Sequence, residues 1–239
     1  MTGQLSFAYS SAAPELSAAE LVAELSRPCV GCSLGSFYPK NPGLIWSGSL
    51  DARIAILSDY PAPYEMHTKA PLWMVQTEWE RWLQRLDLKA GDVLVTCISQ
   101  CAQPPGRFSE TSEFFRVFQA ETKHCMHQRA LRLLGAMPQL EVAVTLGLPV
   151  AKILLGGDPT YKSHIGEWFG SDHLPGVGVF CMEHPRLIEP GINEKRGRHY
   201  EILSAFQNLY LRQGPMAATI RACSAARRAG DVLNLNYES

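Results

Sequence analysis

Four cysteines constrain this chain more than any other feature of its sequence. Cys29 and Cys32 are separated by two residues, and Cys101 and Cys125 follow much later in the chain. Two thiolates at the first spacing can bind one side of a metal centre, and two further thiolates complete a tetrahedral ligand set. The pattern therefore predicts a bound metal centre. The alternative is four unrelated buried cysteines, because cysteine is among the residue types most often buried.

The composition indicates one compact domain without a general attraction to nucleic acid. The chain has 239 residues, of which 46% are hydrophobic, and its formal net charge is −1. A domain of this size can bury a substantial core. The near-neutral charge provides no global basic field, although a local patch suffices to bind DNA.

The same sequence predicts the compartment and excludes a membrane-spanning protein. No apolar run approaches the roughly 20 residues that cross a bilayer, so we expect no membrane partner. The N-terminal residues lack the charged and apolar regions of a secretory signal. Seven cysteines without an export signal indicate a reducing compartment. We expect a cytoplasmic protein that is a monomer.

Short apolar runs alternate with helical patterns along the chain. Ser17 and Glu20 form a capping-box pattern, which predicts a helix through Leu25. Buried strands are predicted at 53–57, 92–98, 141–147 and 177–182. Helical spacing of apolar side chains predicts helices at 76–86, 110–120, 125–134, 149–155 and 194–211.

This alternation predicts an α/β fold with three layers, α/β/α, around a central four-stranded parallel sheet. A small cluster-binding subdomain is expected from residues 29–32 and 101–125. The predicted organisation is a flexible N-terminus at 1–17, one domain at 18–212 and a C-terminal tail at 213–239.

Three unusual segments follow predicted strands, at 58–64, 97–107 and 183–188. The carboxyl ends of parallel strands meet at one edge of a sheet, where ligands of open α/β folds bind. We therefore expect the ligand site among these segments. The first contains Asp59 and the last contains His184. Their alternative interpretations are a turn-forming aspartate and a core or capping histidine.

The order of these motifs resembles the iron–sulfur branch of the uracil-DNA glycosylase superfamily, families four and five. The cysteine pair comes first, and SDYPA at 58–62 is similar to the family's G-E-x-P-G loop. TCISQCAQPP at 96–105 is similar to T-N-x-x-K-C-x-P-P, and HPR at 184–186 to H-P-S. The resemblance covers most of the chain, from Cys29 to Leu211.

The resemblance implies a cofactor and two catalytic residues. The four cysteines would hold a 4Fe-4S cluster, with zinc as the competing metal, since sites of four thiolates also suit it. His184 would stabilise the negative charge that builds on the departing base. Asp59 would position a water molecule or balance the charge on the sugar.

Other matched positions would bind the substrate and differ from the family pattern. The family's base-reading asparagine falls at Cys97, and a thiol cannot replace the paired donor and acceptor of an amide. The stacking aromatic falls at Leu72, with Trp73 adjacent. Tyr60 and Pro61 would line the same pocket. Arg186 would contact a backbone phosphate, and so would the basic residues close behind it, which are Lys195, Arg196, Arg198 and His199. The alternative is a solvated helix start.

These implications predict a DNA glycosylase-like protein that flips a base from single- or double-stranded DNA. It would hydrolyse the N-glycosidic bond of uracil or of another modified or damaged base. The alternatives are a non-catalytic DNA- or protein-binding relative and a base-modifying enzyme on the same fold. Asp59 and His184 in one open pocket would favour hydrolysis, whereas a pocket filled by Tyr60 or Trp73 would favour the binding relative.

Overall fold

The computed structural model describes residues 17–29, 43–72, 75–102, 121–157, 159–185, 193–212 and 215–229. The helix predicted at 110–120 and most of the segment 101–125 lie outside the described residues. The same holds for nearly all of the predicted flexible N-terminus and for the last ten residues of the predicted tail.

Helices and strands alternate through the described chain. The helices are α1 (Ala18–Leu25), α2 (Pro63–Thr68), α3 (Gln76–Leu86), α4 (Leu131–Gly135), α5 (Leu148–Leu155), α6 (Tyr161–His164), α7 (Asn193–Phe206) and α8 (Pro215–Ala229). Two π-helical segments, Met126–Ala130 and Gln207–Leu211, precede α4 and follow α7. The strands are β1 (Trp46–Gly48), β2 (Ile54–Ser58), β3 (Val93–Cys97), β4 (Val142–Leu146), β5 (Trp168–Phe169) and β6 (Gly178–Met182).

The strands form one mixed sheet in the order β1-β3-β2-β4-β6-β5. β3, β2, β4 and β6 pair in parallel, whereas β1 and β5 pair antiparallel at the two edges. The α/β class is confirmed, but the predicted sheet of four parallel strands is corrected to a mixed sheet of six. The edge strands span three and two residues and are only partly buried, so they leave no apolar run in the sequence.

The four central strands are buried on both faces. Every residue of β2, β3, β4 and β6 is buried, as is typical of parallel strands covered by helices. α8 belongs to the same core, because Ala217 and Ile220 are fully buried in it. The Ser224 hydroxyl also donates to the carbonyl oxygens of Leu140 and Gly176. This part of the predicted tail is therefore integral to the domain core.

Local signals in the sequence account for several element ends. The capping box of α1 is confirmed: the Glu20 amide donates to the Ser17 hydroxyl, and the Glu20 carboxylate accepts from the Ser17 amide. The predicted bounds of α3 are confirmed at both ends. At its C-terminal end, Asp87 adopts a left-handed conformation and follows the last turn. None of the described helices combines the length and apolarity that crossing a membrane requires.

A partly buried polar network joins the amino ends of β2 and β4 to the π-helical segment that follows α7. The Glu141 carboxylate pairs with the Arg53 guanidinium and accepts a hydrogen bond from the Tyr210 hydroxyl at 2.7 Å. Burial, together with the bond to Glu141, raises the pKa of Tyr210. The phenol therefore stays neutral and remains a donor throughout the physiological pH range.

We expect Tyr210→Phe to lower the free energy of unfolding by about 1–3 kcal/mol, because it removes a hydrogen bond to a buried carboxylate. Urea denaturation measures the change. Tyr200→Phe is the matched control, since its ring stacks under the Arg85 guanidinium and its hydroxyl has no hydrogen bond within the described residues. Equal effects of the two substitutions would contradict the role given to the network.

Candidate functional site

A cavity of about 380 Å³ opens at the carboxyl ends of three parallel strands. Ser58 and Asp59 line it from the end of β2, Leu146 and Gly147 from β4, and Glu183 and His184 from β6. The apolar part of the wall comes from Leu72, Val75, Leu148 and Ile165. The site thus lies where the parallel topology predicts it.

The structure brings together four of the eight residues predicted to contact substrate. Asp59, Tyr60, Leu72 and His184 line the cavity. Pro61 is buried beside it, and Cys97 is 1% exposed; neither contributes to the described lining. Trp73 and Arg186 lie outside the described residues. Tyr60 stands in the wall without filling the cavity.

Ser58 lies between the two predicted catalytic residues. Its hydroxyl oxygen is 3.3 Å from His184 Nε2 and 3.3 Å from Asp59 Oδ1. The carboxylate of Asp59 accepts a hydrogen bond from the Ser58 hydroxyl and another from the Tyr60 amide, the latter at 2.8 Å. When the Ser58 hydroxyl donates to Asp59, its oxygen accepts from Nε2–H of His184, which fixes the tautomer of the imidazole.

Backbone hydrogen bonds from the segment after β3 hold this cluster at the end of β2. The Ile98 and Ser99 amides donate to the carbonyl oxygens of Ser58 and Asp59, both at 2.9 Å. Gly147 adopts φ +90°, and a Cβ there would meet the His184 Cβ at 3.9 Å. A residue with a side chain is disfavoured at this φ, which accounts for glycine here, whereas an added Cβ at 3.9 Å would make only ordinary van der Waals contact.

Two carboxylates that the sequence patterns did not assign to the site also line the cavity. Glu65 is 6% exposed and accepts from the Ala62 amide at 2.8 Å, closing the first turn of α2. Glu183 is 5% exposed and precedes His184. An acidic residue three positions after Ala62 is a helix-start signal, so Glu65 could have been found from sequence. Its position in the cavity wall could not.

His199 is a core residue and not a phosphate contact. The sequence suggested that basic residues at the start of α7, including His199, contact the DNA backbone. The imidazole is 0% exposed and packs against the Trp82 ring, with ring centroids 4.3 Å apart. Arg198, its neighbour, is exposed.

Cys97 lies behind the cavity as a neutral thiol. Burial raises its pKa well above the usual range, and the nearby carboxylates of Glu65 and Asp59 act in the same direction. A neutral, buried thiol is a weak nucleophile and a weak hydrogen-bond donor. Cys97 therefore does not replace the family's asparagine at the cavity surface.

Three of the four predicted metal ligands line a second pocket, of about 180 Å³. They are Cys29, Cys101 and Cys125; Cys32 lies outside the described residues. Donors point at two of the sulfurs: Arg129 Nη2 lies 3.0 Å from Cys29 Sγ, and the Gln100 amide lies 3.2 Å from Cys125 Sγ. None of the cysteines in the described ranges forms a disulfide.

The donors around this pocket fit sulfur ligands of a metal centre. N–H groups directed at sulfur are typical of the cysteine ligands of iron–sulfur clusters. Sites of four thiolates also suit zinc. Within the described part of the chain, which does not include Cys32, no three His, Cys, Asp or Glu side chains are grouped closely enough to hold a metal ion.

Gln100 connects this pocket to the sheet and was not predicted. Its side-chain oxygen accepts from the Ile45 amide at 2.6 Å, and its amide nitrogen contacts the Thr96 hydroxyl and the Cys97 carbonyl oxygen. The residue is fully buried. It holds the turn after β3 in the conformation that aims its backbone N–H at Cys125.

No protein-family model matches this chain, and no curated protein matches it. Function is therefore inferred from the residues of the two pockets. The cavity combines a histidine that can donate, a carboxylate beside it and an apolar wall. This arrangement can bind a flat, partly polar molecule and stabilise negative charge on it.

We expect Cys97 to resist alkylation by iodoacetamide at mildly alkaline pH in the folded protein and to react in urea. Folding keeps the thiol neutral, so the folded state retains a proton that the unfolded chain releases as the pH rises above the ordinary thiol pKa. The contribution of Cys97 to the free energy of unfolding therefore falls as pH rises through that range. Mass spectrometry of the modified peptides measures the reactivity. Rapid labelling of the folded chain at Cys97 would contradict its burial.

Proposed function

We propose that this protein is a DNA glycosylase-like enzyme that accommodates a flipped base in the cavity and hydrolyses its N-glycosidic bond. The observation that supports this most directly is the Asp59–Ser58–His184 cluster on one wall of an open cavity. The proposal includes the three-layer α/β/α arrangement of the uracil-DNA glycosylase fold. Its substrate is uracil or another modified or damaged base, in single- or double-stranded DNA.

The dimensions and walls of the cavity support a base as the ligand. Its volume of about 380 Å³ is within the range of roughly 300–1,000 Å³ for small-molecule sites. Leu72, Val75 and Ile165 offer apolar surface to the faces of a ring. Polar groups are concentrated at the strand ends, where the edge of a base would meet them.

The proposed reaction transfers the sugar from the base to water. The bond between C1′ and the base nitrogen breaks, and its electron pair leaves with the base. When the base binds, the Nε2–H of His184 leaves the Ser58 hydroxyl oxygen and donates to an oxygen of the base, where the negative charge accumulates. Asp59 orients the water and accepts its proton as the new C1′–O bond forms, and the released base takes up a proton from solvent.

The open cavity favours this hydrolase over the non-catalytic alternative. Asp59 and His184 line the same space, and among the described residues, which do not include Trp73, Tyr60 leaves it open. A relative that had lost excision while keeping the fold would have no need to retain a charged residue and a histidine there. The base-modifying alternative has no observation in its favour, because the described lining contains no reactive thiol or amine.

We further propose that Cys29, Cys32, Cys101 and Cys125 hold a 4Fe-4S cluster. The cluster would supply a rigid link and take no part in breaking the glycosidic bond. Its ligands join the segment after α1, the turn after β3 and the helix before α4. The Arg129 guanidinium would offset part of the negative charge of the thiolates.

We expect the protein to release at least one base from a panel of oligonucleotides containing uracil, hypoxanthine, 5-hydroxymethyluracil or 5-hydroxycytosine, leaving an abasic site. His184→Ala should slow excision roughly 100- to 1,000-fold, because it removes the donor to the leaving base. His173→Ala, which removes an exposed imidazole away from the cavity, is the control. Single-turnover cleavage of the abasic products measures the rate. The hydrolase proposal fails if no base is released at enzyme excess.

We expect protein purified without oxygen to be brown and to contain iron and sulfide. Cys101→Ala should lose most of both, since one of four ligands is removed. Cys181→Ala is the matched control, because Cys181 is fully buried within β6 and remote in the sequence from the proposed ligands. Metal and sulfide analysis gives the readout. Colourless protein with stoichiometric zinc would contradict the cluster.

A further inference from the structure

Glu183 and His199 form a buried pair beside the cavity that the proposed mechanism does not use. Glu183 directly follows β6 and lines the cavity next to His184. Its Oε2 atom lies 3.7 Å from Nδ1 of His199, which is on α7. The Glu183 side chain is 6% exposed and that of His199 is 0% exposed. A carboxylate in such a position needs a partner that offsets its loss of water.

His199 is placed to orient Glu183. Neither of its ring nitrogens has a hydrogen-bond partner within the described residues. One face of the imidazole packs against Trp82, which keeps the ring from turning. Within the described residues, the contact of Nδ1 with the Glu183 carboxylate is the polar contact that this imidazole makes. In return, the imidazole restricts the carboxylate of Glu183 to one position.

The hydrogen-bonding capacity of the other carboxylates in the cavity is partly used. Asp59 accepts from the Ser58 hydroxyl and the Tyr60 amide, and Glu65 accepts from the Ala62 amide. For Glu183, no hydrogen bond occurs within the described residues. Neither of its oxygens is among the buried polar atoms that lack a partner, although both nitrogens of His199 are. This difference favours a carboxylate whose oxygens stay open to the cavity.

We infer that Glu183, held in position by His199, accepts a hydrogen bond from an exocyclic amino group of the bound base. The cavity then selects amino-bearing bases over their oxo counterparts, an inference that rests on the proposed function. A carboxylate is an acceptor only, so it stabilises an N–H group and repels a carbonyl oxygen at the same position. Among the described lining residues there is no lysine or arginine to bind such an oxygen.

The selectivity has two sources that act in the same direction. An amino group supplies a donor to a carboxylate that has been taken out of water, and charged hydrogen bonds of this kind are strong. An oxo group offers that carboxylate no hydrogen-bond donor and places a negatively polarised oxygen beside it. His184 keeps its proposed role, because an amino-bearing pyrimidine still presents a ring carbonyl oxygen for it.

A matched pair of bases tests the inference. 5-Hydroxycytosine and 5-hydroxyuracil differ only by an amino or an oxo group at one carbon. We would place each in the same single-stranded oligonucleotide and measure single-turnover excision and, by fluorescence anisotropy, equilibrium binding. The wild-type protein should prefer 5-hydroxycytosine by about tenfold or more. Glu183→Gln, which can donate as well as accept, should bring the two bases to within about twofold of each other.

The control for the charge change is Glu201→Gln, an exposed carboxylate on α7 two residues after His199. It should leave the preference unchanged. His199 is tested as a positioning residue by two substitutions. His199→Phe keeps a ring against Trp82 but removes the polar partner, so the preference should fall. His199→Gln, which can still donate to Glu183, should retain more of it.

The outcomes separate this inference from the proposed function. If the wild-type protein excises both bases equally well, the inference is wrong and the hydrolase proposal stands. If it binds both bases equally well and releases neither, both proposals are wrong. If neither base is released but 5-hydroxycytosine binds more tightly, the hydrolase proposal is wrong and the inference stands. An unchanged preference in Glu183→Gln would assign the selectivity to another residue and overturn the role of Glu183.

Discussion

Parallel pairing of β2, β3, β4 and β6 is the constraint on which both pockets depend. Because these strands are buried on both faces, they admit few polar residues along their length, and the chemistry moves to their ends. The parallel direction then brings those ends to one edge. The cavity takes Asp59 from β2 and His184 from β6, while the turn after β3 delivers Cys101 to the cysteine pocket. One edge of the sheet therefore positions two chemically different sites.

The parts of the fold that could be predicted are those with a strong local signal. The apolar runs of the central strands and the helical spacing of α3 arise from burial repeated over five or more residues. β1 and β5 have no such repeat, because they are held by pairing to the neighbouring strand and not by their own pattern. The sequence predicts a tail where α8 lies, because the small side chains of this helix, such as Ala217, are buried only through tertiary packing.

The residues of the candidate site likewise differ in whether a local sequence signal predicts them. Asp59 and His184 follow apolar strands, so topology alone brings them near each other. Gln100 and Glu183 do not stand out in the sequence, because each depends on a partner far along the chain. Gln100 binds Ile45, which is 55 positions away, and Glu183 meets His199 across the end of the sheet. Cys97 was expected at the cavity surface, yet it faces the interior, where burial keeps it neutral.

The order of groups in the Asp59–Ser58–His184 cluster argues against a nucleophilic serine. A serine nucleophile needs a base that removes its proton, with an acid on the far side of that base. Here the carboxylate accepts from the serine hydroxyl itself, so it holds the proton on Ser58 and directs the hydroxyl oxygen towards His184. The Nε2–H of His184 then donates a hydrogen bond to that oxygen. The cluster is arranged to keep a donating imidazole at the cavity wall, which suits stabilisation of a departing anion better than formation of a covalent intermediate.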